Sequence, residues 1–171
     1  GTQVRIEAET GGAITLDAAS GLALTFDAVE LRSVDAVGDI RLEQDVANVS
    51  RNLLLVTDAE STAGDLYIAS EYAMNVIRAH AADLSTEMML IARDGDLSIL
   101  SGGSVDAGST VTLNASDTLS IDQNIWVDAA DQATFIAGRS FTVPSSQAFD
   151  AEILNVVSAE NDFSIESVAG G

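Results

Sequence analysis

The tripeptides Leu97-Ser98-Ile99, Leu119-Ser120-Ile121, Phe141-Thr142-Val143 and Phe163-Ser164-Ile165 repeat one pattern, apolar–hydroxyl–apolar. Their starting positions form an arithmetic series with a step of 22 (119−97, 141−119 and 163−141). A fixed period of this length, carried by alternating residues, marks a stacked repeat fold. Two further tracks keep the same step. One is Val105-Asp106-Ala107, Val127-Asp128-Ala129 and Phe149-Asp150-Ala151. The other is Val111-Thr112-Leu113, Ala133-Thr134-Phe135 and Asn155-Val156-Val157, each followed two positions later by Ala115, Ala137 and Ala159. Turn-like stretches such as Ser101-Gly102-Gly103, Asp122-Gln123-Asn124 and Pro144-Ser145-Ser146 separate them.

Successive side chains of a strand point to opposite sides, so the flanks of each tripeptide are buried and its middle residue is outside. Three short strands per period describe one coil of a three-sided parallel β-helix, an all-β solenoid. Stacking puts residue i over residue i+22, about 4.8 Å away. The inward columns are sorted accordingly: Leu, Leu, Phe, Phe at 97, 119, 141 and 163, and Ile, Ile, Val, Ile two positions on. Each large aliphatic side chain that is fully buried contributes roughly 1.5–3 kcal/mol.

The tracks extend backwards with small shifts. Met74-Asn75-Val76 precedes the Leu97 tripeptide by a step of 23 (97−74), and Ala82-Asp83-Leu84 precedes the Val105 tripeptide by the same step (105−82). From Leu53 to Met74 the step is 21 (74−53), and from Leu31 to Leu53 it is 22 (53−31). Val4-Arg5-Ile6, Ile14-Thr15-Leu16 and Leu24-Thr25-Phe26 have the strand pattern at a spacing of ten. The count gives seven to eight coils in a single solenoid domain over residues 1–171. Residues 70–93 also carry Ala73, Ile77, Ala81, Leu84, Met88 and Ile91 at helical spacing, with Ser70 and Gly95 as caps. That segment is either a helical insertion or one irregular coil. Because the register survives across it, the coil is the expectation; helix propensity is a weak prior against tertiary context.

Composition sets limits. Twenty-seven acids against seven bases give a net charge of −20, and all seven bases are arginine. This balance disfavours nucleic acid and anionic membrane surfaces as partners. There is no cysteine, hence no disulfide, thiol nucleophile or thiolate metal site. No run of about 18 apolar residues is present, so no membrane-inserted helix is expected.

The candidate site residues follow from the columns. Asp106, Asp128 and Asp150 share one outward column, which Asp83 is placed to extend. Unit charges about 4.8 Å apart repel by roughly 0.9 kcal/mol per neighbour in water. The column is therefore a solvated, screened corner or a row of weak Ca²⁺ sites, since hard oxygen ligands suit calcium. No other cofactor is expected. The acid pairs Asp117 with Asp122 and Asp94 with Asp96 could in principle serve glycoside chemistry. In a chain so rich in acids they carry little weight, the turns are too short for a cleft, and no enzyme activity is expected. His80, the only histidine, reads as an exposed or half-buried polar residue, and Trp126 as a corner packer or a sugar-stacking aromatic.

Gly95-Asp-Leu-Ser-Ile, Gly103-Ser-Val-Asp-Ala and Thr110-Val-Thr-Leu-Asn-Ala, over residues 95–166, resemble the degenerate repeats of filamentous-haemagglutinin-like bacterial adhesins. The resemblance implies an extracellular or cell-surface rod and transfers no catalytic residue. The expected function is a structural subunit or shaft segment of an extracellular filament or adhesin. It would stack head to tail on copies of itself, with surface glycans as a further candidate partner. The alternative is a carbohydrate-binding or carbohydrate-cleaving β-helix such as a tailspike fragment. For the head-to-tail contact, counting into a following copy puts its Val4 and Ile6 at 175 and 177 (171+4 and 171+6). There its first strand would complete the third track of the last coil.

Overall fold

A computed structural model describes residues 4–8, 13–26, 28–44, 53–122, 126–143, 149–150, 153–158 and 162–164. Ala151, Ala159, Ile165, Gln123, Asn124 and the Pro144-Ser145-Ser146 turn lie outside the described residues. Every regular element described is a strand. The first nine are β1 (Val4–Ala8), β2 (Ala13–Ala18), β3 (Leu22–Phe26), β4 (Glu30–Ala36), β5 (Ile40–Gln44), β6 (Leu53–Val56), β7 (Ala59–Ser61), β8 (Leu66–Ser70) and β9 (Ala73–Ala81). The next five are β10 (Glu87–Ala92), β11 (Leu97–Ala107), β12 (Thr110–Ala115), β13 (Thr118–Ile121) and β14 (Trp126–Ala129). The last five are β15 (Gln132–Ala137), β16 (Ser140–Thr142), β17 (Phe149–Asp150), β18 (Ile153–Ser158) and β19 (Asp162–Ser164).

They wind into a three-sided parallel β-solenoid. The third face is a sheet of seven strands, β3, β5, β8, β10, β12, β15 and β18 in spatial order. The first two faces form one hydrogen-bonded set of twelve strands, because β2, β4, β9 and β11 run around the corner between them. Six steps of about 4.8 Å make the third face about 29 Å tall. Leu97, Leu119 and Phe141 stack in register, as do Val105 and Val127, and all except Val127, whose side chain is not described, are buried. Ser98, Ser120 and Thr142 lie between them on the outside, with Ser120 Oγ donating to Ser98 Oγ at 2.8 Å.

Residues 70–93 form β9 and β10, so period-two alternation prevails over helical spacing. Met74, Val76, Ala79 and Ala81 are buried, while Leu84 is 86% exposed. Met74 pairs with Leu97 as the period predicts. The expected partner of Val105, by contrast, is corrected: Ala79-His80-Ala81 stands opposite Val105-Asp106-Ala107, and Ala82-Asp83-Leu84 does not. In β9 a single residue, Ile77, links the two faces; in β11 the link runs from Leu100 to Gly103. Gly102 opens that wider corner at φ 79°, a left-handed conformation that favours glycine. β9 has no such residue and turns the corner through Ile77 alone, and the length it saves reappears in the turn over residues 82–86.

Smaller slips follow the same logic. Leu54, not Leu53, pairs with Met74, and Leu31 pairs with Val56. Leu53 is accordingly 40% exposed and Leu54 fully buried. Leu154 and Val156, not Asn155 and Val157, continue the column of Ala133 and Phe135. The core also carries a polar seam. Gln44 and Ser70 occupy the inward column between Phe26 and Ala92, where Gln44 Nε2 donates to Ala28 O at 2.7 Å and Ser70 Oγ to Gln44 Oε1 at 2.7 Å. Their mutual bonds satisfy groups that would otherwise cost about 1–3 kcal/mol each.

The first strand also departs from expectation. β1 pairs antiparallel with β2, from Val4 opposite Ala18 to Ala8 opposite Ile14. All the other strand pairings described are parallel. Val4 and Ile6 therefore stand opposite Ala18 and Leu16 on the second face of their own chain, not on a third-face track.

Candidate functional site

Outward residues of the second face line up in one file. Asp17, Asp35, Glu60, His80, Asp106, Asp128 and Asp150 occupy successive levels. The register stacks Asp106, Asp128 and Asp150 as the period predicts; the side chain of Asp150 is not described. Asp83 is not in the file, for the corner reason given above, and His80 holds its place. Asp83 instead accepts from the Leu84 amide at 2.6 Å. His80 Nδ1 meets Asp106 Oδ1. Beside them Arg78 donates to Asp58 Oδ1 at 2.5 Å and to Glu60 Oε2 at 2.6 Å. Partial burial works against the charge of Arg78, but the two carboxylates outweigh it and hold the guanidinium above its ordinary range. Among the described residues no three His, Cys, Asp or Glu side chains gather where a metal ion could be held.

One member of each acid pair serves the backbone at a corner. Asp96 Oδ1 accepts from Thr118 N at 3.0 Å, and Asp122 Oδ2 from Ser101 N at 3.2 Å, each on the adjoining coil. Asp117 meets Arg139 Nε at 3.2 Å. Asp39 Oδ1 takes the Asp65 amide at 3.1 Å, and Asp65 Oδ1 the Glu87 amide at 2.9 Å. A carboxylate that receives an amide of the next coil satisfies a donor that the corner would otherwise leave unpaired. Part of the acidity of this chain is thus structural.

The third face carries a cluster that sequence reasoning missed. The Arg41 guanidinium lies 4.2 Å from the centre of the Tyr67 ring. Glu43 takes Arg41 at 2.5 Å and Arg93 at 2.8 Å, and Arg93 also reaches Glu71 at 3.5 Å. A shallow groove of about 320 Å³ runs beside it, with Arg41, Tyr67, Met89 and Thr112 on one side and Asp39, Asp65 and Glu87 on the other. Arg41 and Tyr67 are partners in the sheet although their step is 26 (67−41), so a strict step of 22 does not bring them together. Trp126 opens β14, but its side chain lies outside the described residues.

Arg93 foremost, then Arg41, holds the Glu43 carboxyl below its ordinary range; Glu43, then Tyr67, holds Arg93 above its own. A depressed carboxyl pKa stabilises the fold at neutral pH, and that share is lost as pH falls through the folded value. Glu43→Gln is therefore expected to lower the melting temperature at pH 7 and low salt. The gap from wild type should close as pH drops below about 4, the ordinary carboxylate range. Thermal melts across pH check it; a gap that stays constant would assign the effect to packing.

No protein-family model, curated protein or solved structure matches this chain. Among the described residues no helix is long and apolar enough to cross a membrane.

Proposed function

We propose that this chain is a structural shaft segment of an extracellular filament or surface adhesin, joined end to end with copies of itself. The observation that carries the reading is the stack: seven third-face strands in parallel register over one hydrophobic core. Such a fold has each coil contacting only its neighbours, so it extends along one axis without limit set by the core. Its strand edges at the two ends recruit further strands unless they are covered. Head-to-tail contact between identical units does not close on itself and builds open fibres. The net charge of −20 keeps the sides of neighbouring rods apart in favour of axial contact. The resemblance of residues 95–166 to adhesin shaft repeats supports the surface location.

The groove on the third face favours a second reading, a carbohydrate-binding β-helix. Against it, one face of Tyr67 is covered by Arg41, and Asp39 and Asp65 are engaged with backbone amides. Negative-stain electron microscopy with sedimentation velocity separates the two. Rods that lengthen with concentration are expected. Monomers at every concentration, together with binding to a glycan array lost in Tyr67→Ala, would replace the shaft with the carbohydrate reading.

A further inference from the structure

We propose that the groove on the third face is a docking site for an extended segment of a partner protein in which basic and apolar residues alternate. The contact is independent of any joint between rod ends. Two outward columns wall the groove. Ile40, Leu66 and Met88 are register partners, so the residues before them, Asp39, Asp65 and Glu87, form one wall on successive levels. Arg41, Tyr67 and Met89 form the other wall, paired in the same way. One level further on, the walls continue as Thr110 and Thr112. Long side chains give way there to short ones, and the trough opens. The volume is about 320 Å³, and the strand steps from β5 through β8 and β10 to β12 make it about 14 Å long.

The two walls differ in chemistry. The first is acidic. Asp39 and Asp65 each use Oδ1 to take the amide of the next level. Among the described residues their Oδ2 atoms have no hydrogen bond, and neither does the Glu87 carboxylate. The second wall is apolar over Tyr67 and the exposed Met89. Arg41 lies on the Tyr67 ring and takes that stacking face from a sugar. A leucine or valine needs no free ring face, only an apolar wall. The Arg41 guanidinium also repels a basic side chain from this wall and so directs it to the acids.

Successive side chains of an extended strand point to opposite sides. A strand lying along the groove, parallel to the rod axis, therefore sends every second side chain to the acids and the others to Tyr67 and Met89. At about 3.3 Å per residue the groove takes about four residues. The strands of the solenoid run across this direction, so the segment extends no sheet and its side chains alone hold it. Alternation and charge are what the groove reads.

The outer margin of the acid wall is apolar too. Val37, two positions before Asp39, is 51% exposed, and Leu84, three before Glu87, is 86% exposed. The turn that presents Leu84 is anchored. Buried Thr86 donates its amide to Asp83 O at 3.1 Å, its Oγ1 lies 2.8 Å from Ala81 O, and Asp83 Oδ1 takes the Leu84 amide at 2.6 Å. Lysine stems lie along apolar surface while their ammonium groups reach a charge, so this margin suits the basic side chains of the segment. The net charge of −20 draws such a segment in.

The test uses the full-length chain and a labelled hexapeptide of alternating lysine and leucine, followed by fluorescence anisotropy at about 0.15 M salt. One-to-one binding is expected. A hexapeptide of alternating lysine and serine, equal in charge, should bind about tenfold more weakly, the factor that about 1.4 kcal/mol represents. Glu87→Gln and Met89→Ser should each weaken the lysine–leucine peptide to a similar degree; both side chains are exposed, so folding is not at stake. Asp17→Asn removes one charge from the exposed second face and should leave binding unchanged. Equal affinity for the two peptides, or equal loss in Asp17→Asn and Glu87→Gln, would reduce the contact to general attraction by an acidic rod and overturn the site. Displacement of the peptide by neutral cellohexaose would overturn it in favour of the carbohydrate reading.

Discussion

Leu119→Asp is expected to abolish folding, while Ser120→Asp, one position along the same strand, leaves the solenoid intact. Leu119 is fully buried and stands between Leu97 and Phe141 in the inward column. A carboxylate there has no partner, and the loss of apolar contact adds to the cost of the buried charge. Together these are worth about 4 kcal/mol or more, against a total stability of roughly 5–15 kcal/mol. Ser120 is half-buried on the outer surface and its one described side-chain bond is to Ser98. Losing that bond costs about 1 kcal/mol. Circular dichroism melts rank the two variants, and greater damage from Ser120→Asp would overturn the facing of this strand.

The second large effect is expected at a corner. Gly138→Ala would place its Cβ 1.9 Å from the carbonyl oxygen and 2.6 Å from the carbonyl carbon of Ser116 on the preceding coil. Both obstacles are backbone, so no side chain can swing away. The coils must separate there, and the separation strains Gly138 N to Ala115 O at 2.9 Å and Arg139 N to Asp117 O at 2.8 Å. Two weakened hydrogen bonds plus local overpacking amount to about 2–4 kcal/mol. Gly102→Ala is the contrast. Nothing lies within 4 Å of its Cβ, and its cost is the left-handed φ alone, about 1 kcal/mol. Urea titrations should show Gly138→Ala well below Gly102→Ala, and the reverse order would mean that dihedral strain outweighs coil contact.

These residues also show how far alternation and spacing reach. Leu97, Leu119 and Phe141 are legible because the two coils that join them keep the same number of residues in every corner. The alternation then fixes inside and outside without further information. Ala82-Asp83-Leu84 is misplaced by counting because one coil moves part of its length from one corner to another while its strand register recovers further on. A count along the chain does not see that transfer; the pair Gly102-Gly103 is its only trace. Leu53 and Leu54 are both leucine, so a slip of one position leaves no chemical mark. β1 alternates like any other strand, and strand direction is not written in alternation. On the second face, the Asp106–Asp128 register is legible and the place of His80 is not, because that place depends on the same corner. The cluster of Arg41, Tyr67, Glu43 and Arg93 escapes for a related reason. It spans β5, β8 and the turn after β10, on third-face levels joined by unequal steps, Arg41 to Tyr67 (67−41) and Tyr67 to Met89 (89−67).

The uneven corner has a further consequence. β9 crosses from the first face to the second through Ile77 alone, and β11, stacked directly on it, takes the longer path from Leu100 to Gly103, yet Ala79 still lies over Val105. Length at this edge is decoupled from the position of the core. A change in the number of residues between Leu100 and Gly102 is therefore expected to leave the columns on either side in register. The same edge is where a foreign peptide could be grafted, presented sideways from the shaft at a height set by the rung that carries it.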